Sequence, residues 1–190
     1  MPTTRLLLAA LLALLVVLAP AATAAPAQAA GGCRGADTVP ASASDMSRAR
    51  SATLCLLNRE RRERGRASLT RSRQLERSAR AYSERMVNER FFAHEAPDGR
   101  GLVERIRDRT GYLVRTASWA VGENLAWGSG GRATPREIVR SWMNSPGHQR
   151  NILDRRFRHL GIGIALGAPR SVGEAEAATY TTHFGRRARR

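Results

Sequence analysis

Helical periodicity through the first two thirds of the chain and two-residue alternation near its end predict an α+β domain, an antiparallel sheet packed by helices. Leu75, Ala79, Tyr82 and Met86 recur at steps of four, three and four, which draws one apolar stripe along a helix. Gly161 to Leu166 (G-I-G-I-A-L) and Ala177 to Phe184 (A-A-T-Y-T-T-H-F) instead carry the alternation of strands. Short connections suited to hairpins lie between them, and there is no internal repeat.

The chain in order starts with a segment outside that domain. Residues 1–30 read as a secretory signal peptide. Arg5 precedes an unbroken apolar run from Leu6 to Leu18, and small residues follow at A-x-A spacing, such as Ala22/Ala24 and Ala27/Ala29. The run is short for a membrane-spanning helix, and an uncleaved anchor is the competing reading. Roughly 160 residues remain, enough for one domain with its own core. Both cysteines, Cys33 and Cys55, lie in that exported part. In an oxidising compartment such a pair reads as one disulfide, with two free thiols as the alternative. It would pin an N-terminal arm, residues 31–46, onto the helix carrying Cys55. The pair lacks the C-x-x-C spacing of a metal site.

A domain is expected over residues 47–185. A first helix runs from about Ser47 to Arg64 with Ala52, Cys55 and Leu56 on one face, and Gly65 stops it. A second runs from Ser72 to about Phe91, followed by the turn-rich Pro97 to Gly101. A short helix, Leu102 to Arg109, turns Val103 and Ile106 inward. Leu113 to Trp127 lacks a helical period and reads as an extended piece meeting a turn at Gly122. Thr134-Pro135-Arg136-Glu137 opens the next helix as a capping box, with Ile138, Val139 and Trp142 inward. Ser145-Pro146-Gly147 then breaks it and leaves His148 on a corner, before a short buried turn at Ile152 and Leu153. The closing residues 186–190 read as a basic, solvated, disordered tail.

The formal charge is +16, and all 32 basic residues are arginine. A total preference for one basic residue reflects coding bias, so its functional weight is discounted. Its physical consequence stands: an exported domain of this charge should adhere to anionic surfaces such as cell-wall polymers or acidic lipid head groups. Few aromatics interleave with the arginine runs, so nucleic acid is not an expected partner.

Of the four histidines, His94 and His148 stand at irregular junctions, whereas His159 and His183 read as surface or packing residues. Glu123, after Gly122 and between two apolar stretches, is the carboxylate best placed to be held. Two imidazoles and a carboxylate could bind Zn²⁺ with an open position, or form a general acid/base pair with an orienting histidine. Ser145 beside His148 invites a hydrolase reading, but it lacks the G-x-S-x-G elbow and a marked orienting aspartate.

F-F-A-H, V-G-E-N-L-A-W-G, S-W-M-N-S-P-G-H-Q-R-N-I-L, L-G-I-G-I and Y-T-T-H-F-G, in that order, closely resemble the CAP superfamily. That group takes in cysteine-rich secretory proteins, antigen 5 and pathogenesis-related proteins, and its domain is also called SCP. The resemblance is to its bacterial secreted branch and covers about Ser51 to Gly185. It implies a three-layer α-β-α sandwich with a central cleft in which His94, Glu123 and His148 converge. Many eukaryotic members place a second glutamate three residues after the helix tryptophan, and here that slot holds Ser145. Glu137, on the same helix, is already explained by its capping role.

Two functions from different classes follow. One is a secreted binding module whose cleft takes a lipid, sterol or cell-envelope ligand, with or without a divalent metal. The other is a metal-assisted or acid/base hydrolase of peptide or envelope polymer, with Glu123 as base and the histidines as ligands or acid. The missing second glutamate favours binding.

Overall fold

A computed structural model describes residues 32–171 and 176–189. The expected signal peptide lies outside the described residues. Helix α1, Ala43–Glu63, starts four residues before the expected Ser47, because the Ser42 side chain accepts from the Asp45 N–H and caps it. It ends before Gly65, whose φ of +64° suits a residue without Cβ. Cys33 and Cys55 are joined in a disulfide that holds the arm against α1, with Cα atoms 5.7 Å apart. After a two-residue strand β1, Thr70–Arg71, come α2, Arg73–Asn88, and α3, Leu102–Arg109. Strand β2, Thr116–Ser129, leads through a 3₁₀ turn to α4, Pro135–Met143, and α5, Pro146–Leu153. Strands β3, His159–Leu166, and β4, Ala177–Arg189, close the chain.

The sheet has the order β1-β3-β4-β2. Its three long strands are antiparallel as expected, and β1 adds a two-residue parallel pairing at the edge of β3. Alternation then sorts side chains into two layers. Leu160, Ile162, Ile164, Tyr180 and Phe184 pack into the main apolar core with Leu56 and Leu57 of α1 and Ile138, Val139 and Trp142 of α4. The intervening residues face α2. A Cβ on Gly161 would lie 2.2 Å from the backbone of Leu75 and Glu76, and one on Gly163 2.2 Å from that of Ala79. Those two glycines therefore let α2 lie directly on the sheet.

Four local expectations are corrected. No turn forms at Gly122, and β2 runs straight through it. Its glycine answers a need for room, since a Cβ there would fall 2.9 Å from the Phe157 ring. The segment after Ser145 is a full helix, because Pro146 at its first position opens α5 as readily as it closes α4. Arg186 to Arg189 continue β4 opposite Thr116 to Ala120 instead of forming a loose tail. Arg187 is fixed there: it donates to the Tyr112 carbonyl at 2.8 Å and its guanidinium lies 4.6 Å from the Tyr112 ring centre. Of the capping box only half is made, for Thr134 accepts from the Glu137 N–H while the Glu137 carboxylate pairs with Arg140.

Candidate functional site

Glu123 sits on β2 opposite His183 of β4, on the face towards α2 and α3. The two side chains point the same way, and His183 Nε2–H donates to Glu123 Oε2 at 2.9 Å. Arg105 of α3 donates to the same oxygen at 2.7 Å. His94 approaches from the loop after α2, and its Nδ1–H donates to Oε1 at 2.8 Å. Both carboxylate oxygens are thus taken by three donors in a nearly dry setting, Glu123 being 7% exposed and Arg105 5%.

Arg105 is itself held through its two terminal nitrogens, while its buried Nε has no partner among the described residues. Its guanidinium lies 3.5 Å from the centre of the Tyr82 ring and donates to the carbonyls of His94 and Arg100. The Tyr82 hydroxyl donates to the Ala93 carbonyl at 2.7 Å, which fixes the loop that presents His94. Burial alone would push the Glu123 carboxyl up. Hydrogen bonds from His183 and His94, with the charges of His183 and Arg105, outweigh it and hold the group at about 2 instead of 4.5. It is a carboxylate at any physiological pH, and a weak base.

His148 reaches this place from the other side of the strand. Asn124, next along β2, points away from α2 and donates to the His148 carbonyl at 3.1 Å. Asn151, one turn further along α5, donates to the Glu123 carbonyl at 3.0 Å and to Asn124 Oδ1 at 2.9 Å. Together these bonds clamp the first turn of α5 to the outer edge of the sheet. The His148 ring is partly buried and its Nδ1 has no hydrogen-bond partner among the described residues. Burial and the neighbouring charge of His94 both push its pKa down, so it rests as neutral imidazole.

Of the expected trio, His94 and Glu123 touch. His148 makes no hydrogen bond to either side chain; its backbone is tied to Asn124, and its ring is near enough to His94 for that charge to be felt. Two members were missed. His183 reads in sequence as a surface or packing residue; α2 covers its face and the ring is fully buried against Glu123. Its place opposite Tyr180 on the strand marks the face, and only the covering helix shows that the face is dry. Arg105 carries no sequence signal beyond its place in a charged helix. His159 lies apart, paired with the Tyr112 hydroxyl at 2.8 Å. Ser145 makes no bond to His148, so no serine-histidine couple is present among the described residues.

Zinc fits this arrangement poorly as a three-ligand centre. A guanidinium already occupies the carboxylate that would be the third ligand, and among the described residues no three His, Cys, Asp or Glu side chains are placed to share an ion.

The sequence model of the cysteine-rich secretory protein family, CAP, matches residues 54–183, a stretch that includes His94, Glu123, His148 and His183. The chain belongs to the CAP family. It is 35% identical over 127 residues to the protein YkwD of Bacillus subtilis, an alignment spanning 67% of this chain and 46% of that one. The chain thus matches less than half the length of that relative. In fold, this CAP domain is similar to an extracellular protein containing a SCP domain from Bacillus anthracis. That likeness has a TM-score of 0.57 and 24% identity, and covers 76% of this chain and 44% of the other. An outer surface protein of Borrelia burgdorferi is also similar, with a TM-score of 0.55 and 20% identity over 71% of this chain and 90% of its own. These two likenesses extend to the fold.

Proposed function

We propose that the protein is an exported binding module whose cleft, between His94 and the first turn of α5, takes a lipid, sterol or cell-wall component of the envelope. The observation that carries this reading is the three-donor lock on Glu123. A carboxylate held near pKa 2, with both oxygens engaged by donors, is a weak base for proton abstraction and a poor nucleophile. Its work is to fix the tautomer and position of His94. The His94 side chain is 62% exposed and only its Nδ1 is engaged by Glu123, which leaves Nε2 for a ligand, while the unpartnered His148 Nδ1 is buried and is reached only if the ring moves. Imidazole nitrogens exchange hydrogen bonds with hydroxyl and amide groups, which sterols, lipid heads and wall glycopeptides offer.

Export is supported by the leader-like residues 1–30, by the disulfide, and by the extracellular and outer-surface descriptions of the structural relatives. A divalent metal would have His94 and His148 as its remaining ligands, and a two-imidazole site holds metal weakly.

The test is retention of the mature protein on envelope fractions and on lipid vesicles in the presence of a chelator, beside His94→Ala/His148→Ala. Retention by the wild type and loss by a variant that still unfolds cooperatively supports the cleft. Equal retention of both sinks it, and loss of cooperative folding in the variant would make the histidines structural.

A further inference from the structure

The opposite edge of the sheet, remote from His94 and Glu123, carries a concavity of its own. β1 covers β3 only at His159 and Leu160, so beyond Leu160 the outer edge of β3 is bare of any strand. A slot of about 300 Å³ opens there between α1 and the sheet. Its floor is mostly apolar, made by Leu54 and Cys55 of α1 with Leu160 and Ile162 of β3, and Ser51 and Asn58 of α1 add polar groups to its walls. At roughly 30 Å³ for each water-sized group, the volume admits a chain of about eight to ten carbons.

The mouth of the slot is chemically different. Arg50, Arg62 and Arg71 stand around it, and Arg71 and Glu76 also line an adjoining basin of about 260 Å³ with Arg73, Arg77 and Arg80. Six guanidinium groups thus share one neighbourhood. Glu76 answers two of them, Arg71 at 2.5 Å and Arg50 at 3.4 Å, and Glu84 meets Arg80 at 3.7 Å. Arg62, Arg73 and Arg77 make no ion pair among the described residues. Arg50 Nε is buried and makes no hydrogen bond there despite its nearness to Glu76. Burial and the charges of Arg71 and Arg80 are held against Arg50 by Glu76 alone, so the cluster is short of negative charge.

We propose that this slot and basin form one binding site for a single-chain amphiphile with a phosphate head. The chain lies over Leu54, Leu160 and Ile162, and the head sits among the arginines. Guanidinium forks match phosphate oxygens in pairs, and a dianion answers the surplus of cations better than a single charge does. The apolar slot distinguishes this ligand from free phosphate or an anionic polymer, which would use the basin and leave the slot empty.

Calorimetric titration of the mature protein with octyl phosphate, inorganic phosphate and octyltrimethylammonium, each below its aggregation concentration, separates these sources. Octyl phosphate should bind at least about tenfold tighter than inorganic phosphate, because its chain is removed from water. Ser51→Trp, at the exposed rim of the slot, should bring octyl phosphate down to the level of inorganic phosphate. Arg73→Glu/Arg77→Glu should weaken both anions, whereas Arg107→Glu/Arg109→Glu, the same charge change on α3, should weaken neither. His94→Ala/His148→Ala should leave octyl phosphate binding intact, which keeps this result independent of the cleft. Thermal unfolding of each variant verifies that it is folded. Equal affinity for the two phosphates, or equal binding of octyltrimethylammonium, overturns the proposal, as does binding indifferent to Ser51→Trp.

Discussion

The two faces of the sheet are held to their helices by different means. Towards α1 and α4 the sheet offers Leu160, Ile162, Ile164, Tyr180 and Phe184, and the contact is a thick apolar core. Towards α2 and α3 it offers Gly161, Gly163, Thr179, Thr181, His183 and Glu123, most of them small or polar. There the helix comes close enough to touch backbone, and polar groups find specific partners, such as Ser83 with Thr181 at 2.9 Å. An apolar core tolerates a changed methyl group at moderate cost; a dry polar layer does not tolerate a lost partner. Glu123 and His183 of the candidate site stand on the intolerant face, with Arg105 packed against them. Histidine geometry there is fixed by a network instead of by bulk packing.

The largest effect should come from breaking that network at Arg105. Arg105→Met keeps much of the stem that lies against Tyr82 but leaves the Glu123 carboxylate short of its main cation. Removing one partner from a buried pair costs about 3–5 kcal/mol, measured as a fall in urea-unfolding free energy. Adding Glu123→Gln should recover part of the loss, because the uncompensated charge is then gone; no recovery would mean that Arg105 acts through packing. Acid makes the same point in the wild type. The carboxyl is held down in the folded state, so its contribution is complete above pH 4.5 and is lost as pH falls towards 2. That interval corresponds to about 3 kcal/mol, and Glu123→Gln should flatten it.

Close approach is tested next. Gly163→Ala places a Cβ 2.2 Å from the Ala79 carbonyl, where the obstacle is backbone and cannot rotate away. It should cost about 3 kcal/mol, against about 0.5–1.5 kcal/mol for Ile164→Val on the other face. Similar unfolding midpoints for the two variants would erase the distinction between the faces.

The same contrast explains what was legible in the sequence. Apolar periodicity located α2 and the inward side of α4, and Ile162 and Ile164 marked β3, because that information is carried by each segment alone. Glycines were misread when their role depended on a distant partner. Gly122 has the local look of a turn, but Phe157 explains it. His94, Glu123 and His148 could be picked out through motifs at irregular junctions. His183 could not, since an alternating polar residue looks the same whether it meets solvent or a covering helix. Arg105 was hidden for a related reason: a buried arginine is decided by Tyr82 and Glu123 lying around it, residues 23 and 18 positions away in the chain. The arginine run after Gly185 looked like a tail because strand pairing with Thr116 to Ala120 leaves no mark in its composition.

The smallest effect lies at His148, where the two kinds of environment meet. Its backbone is clamped by Asn124, yet its ring nitrogen has no partner among the described residues. Burial, then the charge of His94, lowers its pKa from 6.5, so the folded protein binds this proton less readily than the unfolded chain does. As pH falls through 6.5 the unfolded state gains the proton first, and stability declines until the folded state is protonated too. Urea midpoints measured from neutral pH down to about pH 5 should therefore fall in the wild type and fall less in His148→Ala. A variant whose midpoint falls as steeply would mean that His148 is solvated in the free protein. A flattened profile would give the ligand a role in the same balance: a hydroxyl or amide donor reaching His148 should deepen the wild-type slope, because the bond it makes requires the neutral ring.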